Sequence, residues 1–145
     1  MISKKLLFLI FSILPLLGGE FLEQQRATAL KEKKLILLTV TKENCPYCLQ
    51  MHHEVFENAI YNNQLIKKFI HVNIDRNDSA LPESLHVKYF PTNLILSPKD
   101  LHVIDEFIGY MKPEAFLDLL DEVYSQEITL FSNTVPSYKK STLQK

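Results

Sequence analysis

The chain has no tryptophan, two cysteines and three glycines among its 145 residues. Charge of one sign is also missing: 16 basic residues stand against 17 acidic ones, for a formal charge of −1. With no basic excess and no arginine/aromatic stripe, the electrostatic footprint of a nucleic-acid binder is absent, and that class of partner is excluded. Neither an internal repeat nor a low-complexity block occurs, which excludes solenoids and arrays. Nor is there a long hydrophobic run. The longest, Leu6 to Leu17, falls short of the ~20 residues a membrane-spanning helix needs.

That run follows Lys4 and Lys5 and ends at Pro15, Gly18 and Gly19. A positive start, a short apolar middle and small residues at the end make residues 1–19 an export signal, expected to be cut between Gly18 and Phe21. An uncleaved segment would serve as an anchor, the one way a membrane enters the picture. No cysteine follows, so a lipid-anchored form is excluded. Without the segment and its two lysines the formal charge moves to about −3. About 126 residues then remain, enough for one domain with a real core. The domain is expected over residues 20–124 and a polar tail over 125–145, in an oxidising exported compartment such as the periplasm.

Both cysteines lie in Cys45-Pro46-Tyr47-Cys48. Before them Leu35 to Val40 (LILLTV) reads as a strand. After them Leu49, Met51, Val55, Phe56 and Ile60 recur at helical spacing, giving a helix from Pro46 to about Ile60. Pro46 suits a first helical position, and Cys45 then sits where free backbone N–H groups favour a thiolate. Cys45 is the expected nucleophile and Cys48 the resolving thiol. Two other readings compete. A structural staple closing so short a loop would contribute only ~2 kcal/mol. A copper or zinc delivery module would use Cys45, Cys48 and His52, but His71, His86 and His102 are scattered singly and supply no second ligand pair. No metal and no organic cofactor are expected.

The remaining elements follow from periodicity and turn residues. Phe21 to Lys34 is helix-compatible, and Gln64 to Lys68 makes a further helical turn after the punctuation of Asn62-Asn63. Phe69 to Asp75 alternates as a strand, and Leu81 to His86 forms a short helix. Thr92 to Leu96 and Leu101 to Ile108 pair as an antiparallel hairpin that Gly109 ends, and an amphipathic helix opens at Lys112-Pro113-Glu114. This order requires an α/β domain, a sheet with helices on both faces and a right-handed first crossover.

Cys45-Pro46-Tyr47-Cys48 after a strand, Phe90-Pro91-Thr92 opening a later one, Asn73-Ile74-Asp75 and Glu106-Phe107-Ile108-Gly109-Tyr110 together resemble the thioredoxin superfamily. Within it the chain looks most like exported bacterial thioredoxin-like proteins, relatives of the disulfide isomerases and of the thioredoxin of sulfur oxidation. The resemblance implies a thioredoxin-like fold with a central mixed sheet of four to five strands flanked by helices. It implies thiol–disulfide oxidoreductase activity, a Cys45–Cys48 redox disulfide and a cis Pro91 beside it. Phe90, Pro46 and Tyr47 would bind client segments. Partners would be client proteins bearing disulfides or thiols and a dedicated redox partner, and a monomer is expected.

Two departures stand out. The family's buried acid, six residues before the nucleophile, is here Thr39, which leaves Glu43 or water to move the proton of the resolving thiol. The dipeptide between the cysteines is typical of glutaredoxins, yet Phe90-Pro91 and Ile108-Gly109-Tyr110 replace the elements that hold glutathione. His52 and His53 read as surface residues of the redox helix. His71 lies on the strand whose family counterpart carries a lysine near the acid.

Overall fold

A computed structural model describes residues 20–132. The expected signal, and the tail beyond Ser132, lie outside these residues. Ten elements run in order: α1 (Glu23–Glu32), β1 (Leu35–Thr41), α2 (Pro46–Met51), a π-helical turn (His52–Phe56) and α3 (Ala59–Leu65). Then come β2 (Phe69–Asp75), a 3-10 turn (Glu83–Leu85), β3 (Thr92–Leu96), β4 (Val103–Ile108) and α4 (Pro113–Ser132). The sheet has four strands in the order β2-β1-β3-β4. β1 pairs with β2 in parallel and with β3 antiparallel, and β3 pairs antiparallel with β4. No helix among the described residues is long and apolar enough to cross a membrane.

Residues 35–40 of β1 and all of β3 are buried, because both strands are central and covered on both faces. Alternation sends successive residues to opposite sides. Leu35, Leu37, Phe69 and Ile95 pack against Met51, Val55, Phe56 and the α4 residues Phe116, Leu117 and Leu120. Ile36, Leu38, Val40, Ile74 and Leu94 face Ala29 of α1 together with Leu81 and Leu85. The outer strand β4 carries Asp105 and Glu106, which discourage pairing with another chain.

Several boundaries differ from the sequence reading. The helix expected from Pro46 to Ile60 stops at Glu57. Asn58 then caps a new helix by accepting a bond from the Ile60 N–H at 3.0 Å, and Asn62 and Asn63 fall inside α3 instead of ending a segment. The expected helix at 81–86 is a single 3-10 turn. β4 begins at Val103, two residues late, since Leu101 turns the chain at φ 62°. The expected polar tail is helical in its first eight residues: α4 continues past Tyr124 to Ser132, and Phe131 packs against the core.

Candidate active site

Asn44 adopts a left-handed φ of 55°, a conformation asparagine tolerates well, and so turns the chain from β1 into α2. Cys45 is left as the N-cap in extended conformation, with Pro46 at the first helical position. The Cys48 N–H donates to Cys45 Sγ at 3.2 Å. The two cysteines form a disulfide across a Cα–Cα distance of 5.3 Å. Cys48 is only 8% exposed, whereas Cys45 is half-buried and open to solvent on one side.

A cleft of about 660 Å³ opens over the pair. Cys45 lines it from the cap of α2, Pro46, Cys48 and Leu49 from α2 itself, His52 from the π-helical turn, Lys42 from the preceding loop and Asn73 from β2. Tyr47 stands beside it, 61% exposed. The Phe90–Pro91 peptide is cis, and Pro91 is buried. Since the register pairs Val40 with Thr92, Pro91 follows at the end of β1 from which the chain leads to Cys45. Two cations stand over the Phe90 ring, Lys42 Nζ 5.8 Å and the Arg76 guanidinium 5.3 Å from its centre.

Beneath α2 the sheet face changes character. The positions that are Leu35, Leu37, Phe69 and Ile95 at one end become Thr39, Thr41, His71, Asn73 and Asn93 at the end where α2 begins. The Thr39 hydroxyl donates to Asn93 Oδ1 at 2.8 Å, and His71 Nε2 lies 3.0 Å from Thr39 Oγ1. The hydroxyl has one proton and gives it to Asn93, so His71 Nε2 is the donor to Thr39. The other Asn93 group, Nδ2, points at Met51 Sδ at 3.5 Å. The His71 ring stacks on Phe56 with centres 3.9 Å apart. Burial, reinforced by the charge His52 can carry, holds its pKa at about 4, below the ordinary 6.5. His71 is therefore neutral at pH 7. Thr39 is thus met by a hydrogen-bonded network of neutral groups on three strands.

His53 is exposed, as expected of a surface residue. The His52 side chain is also partly exposed, at 43%, but its Nε2 contacts Glu57 Oε1 at 3.1 Å and its Nδ1 is sealed from solvent. The π-helical turn makes that contact. Residues five apart in an α-helix are rotated by about 140° and cannot meet, whereas the bond from the Glu57 N–H to the His52 carbonyl brings them together. Glu54, in the same turn, accepts a bond from the Tyr110 hydroxyl, which ties the turn to the end of β4 and holds the Glu54 carboxyl below its usual range. Glu43 is exposed and takes no part in the cleft. No group of three or more His, Cys, Asp or Glu side chains that could hold a metal ion occurs among the described residues, and Cys45 and Cys48 are joined to each other.

A family model described as a thioredoxin-like domain matches residues 22–124. No curated protein matches the sequence significantly. Among solved structures, a thioredoxin from Thermus thermophilus is 23% identical with a TM-score of 0.57, over 69% of this chain and 81% of that one. The periplasmic thioredoxin SoxS from Paracoccus pantotrophus is 20% identical at 0.52, over 64% and 98%. The C-terminal domain of DsbD from Neisseria meningitidis, in its oxidised form, is 18% identical at 0.54, over 70% and 91%.

Proposed function

The chain belongs to the thioredoxin-like domain family and is a thiol–disulfide oxidoreductase, and from that premise we propose that it works outside the cytoplasm on the disulfides or thiols of client proteins. In this reading residues 1–19 direct export and residues 20–124 form the working domain. Export is supported by the charge and length pattern of the N-terminal segment, and by similarity in fold to a periplasmic thioredoxin.

Cys45 is the nucleophile and Cys48 the resolving thiol. The observation that carries this assignment is the asymmetry of the pair. Cys45 caps the helix, reaches the cleft and accepts the Cys48 N–H, a bond that would also stabilise its thiolate. Cys48 is buried behind it. Cys45 attacks a client disulfide, a mixed disulfide forms, and Cys48 attacks Cys45 to release the client; oxidation of a client runs the same steps backwards. Pro46, Tyr47 and Phe90 would contact the client segment, and cis Pro91 would present backbone groups beside the sulfur.

Replacing Cys48 by Ser tests the roles. The Cys48→Ser protein should accumulate mixed disulfides with clients, and the Cys45→Ser protein should accumulate none. Trapping by the Cys45 variant alone would reverse the assignment. The potential of the pair against glutathione fixes direction: about −270 mV marks a reductase and about −120 mV an oxidant. N-terminal sequencing of the exported protein tests cleavage after residue 18 or 19.

A further inference from the structure

We propose that His52, oriented by Glu57, accepts the proton of the Cys48 thiol in the resolving step. The proposal rests on the oxidoreductase reading above and supplies the base which that reading lacks. The groups nearest the family's acid position cannot serve. The Thr39 hydroxyl is committed to Asn93 and His71, and His71, held near 4 by burial, cannot keep a proton at neutral pH. Glu43 stands exposed outside the cleft.

His52 follows Cys48 by four residues, one helical turn, and lines the same cleft. Glu57 is a carboxylate, its pKa lowered chiefly by the hydrogen bond from His53 and further by the charge His52 can carry. A carboxylate only accepts, so the Nε2 facing it at 3.1 Å carries the proton. The lone pair of the neutral ring then sits on Nδ1. That atom is buried and has no hydrogen-bond partner among the described residues. An acceptor shut away from water without a donor is costly in a folded protein, and a functional role accounts for it. The π-helical turn, a feature found often at functional sites, is what permits the Glu57 contact.

In client reduction, the Cys45 thiolate displaces one client sulfur, which takes a proton from solvent. The Cys48 S–H proton passes to His52 Nδ1 as the Cys48 sulfur bonds to Cys45 Sγ. The Cys45–client bond breaks, its electron pair leaves on the second client sulfur, and that sulfur takes the proton from the imidazolium. Two electrons have passed to the client and the protein is left as the disulfide, which a dithiol partner must reduce again. In the reverse direction the imidazolium protonates Cys48 as it departs. The charged and titratable groups around the ring are Glu57 and His53 on its own turn, His71 from β2, and Lys42 with the cysteines across the cleft.

The test uses the full chain, reduced, with a disulfide-linked fluorogenic peptide mixed rapidly between pH 5.5 and 8.5. Release of the second peptide thiol reports resolution, and alkylation of Cys45 in a Cys48→Ser background reports the first step alone. His52→Gln should slow resolution about 100-fold at pH 7 and change the shape of its pH profile. Added imidazole should restore the rate of His52→Ala. Glu57→Gln should slow resolution less than His52→Gln. Unchanged resolution and profile in His52→Gln overturn the proposal, and so does a slowed His52→Ala that imidazole does not rescue. If Cys48→Ser traps no peptide at all, the oxidoreductase reading fails instead, and that outcome is distinct because it involves no substitution at His52.

Discussion

Acid should weaken this fold through one histidine, well above the pH at which its carboxylates titrate. His71 is held neutral beneath Phe56, with a pKa of about 4 against an ordinary 6.5. Above pH 6.5 the ring is neutral in folded and unfolded chains alike, and its burial costs nothing in protonation. Between 6.5 and 4 the unfolded chain gains a proton that the folded one refuses, so stability falls with pH and levels off below 4. At pH 5 the loss relative to pH 7 is about 2 kcal/mol, and the full shift corresponds to about 3. The check is urea unfolding of wild type and His71→Gln at pH 7 and pH 5. Gln can still donate to Thr39 but does not titrate, so the variant should lose about 2 kcal/mol less on acidification. Equal acid sensitivity in the two proteins would refute the argument, as would an NMR titration placing His71 near 6.5.

Two further substitutions read the packing around the site. Thr39→Val should destabilise by about 2 kcal/mol, since it leaves Asn93 Oδ1 and His71 Nε2 without their shared partner, and denaturant unfolding at pH 7 measures it. Phe116→Ala should cost about 4 kcal/mol, because this fully buried ring packs edge-on against both Phe56 and Phe107, and thermal unfolding should show the loss.

What was legible in the sequence is what local signals carry. The apolar run at 35–40, the Pro46 helix start and the alternation at 69–75 each sit within one segment, and each formed close to where it was expected. The break at Asn58 was not legible. Met51, Val55 and Phe56 fit a continuous helix and a π-helical turn equally well, so only the backbone bonding separates the two. The last helix ran long for a related reason. Between Ser125 and Ser132 the polar residues suggested a tail, while Ile128, Leu130 and Phe131 are spaced too sparsely to announce a packed face, and Phe131 finds its place only against the assembled core.

The polar network was harder to read for a different reason. His71 and Asn93 lie 32 and 54 residues from Thr39, and the three meet only because the register sets Leu37 opposite His71 and Thr39 opposite Asn93. Pairing residues across three strands needs the register, and a single sequence does not state it. Once formed, the network decides the proton chemistry by exclusion. Neutral groups that satisfy one another can stay packed against Met51 and Phe56 without a counter-ion, whereas an acid at position 39 would have to ionise there against desolvation. Satisfying Thr39 with Asn93 and His71 removes that cost and removes the base with it. The proton of Cys48 then needs an acceptor outside the network, and the proposed one is His52, which lines the cleft with Cys48 and whose Nδ1 has no hydrogen-bond partner among the described residues.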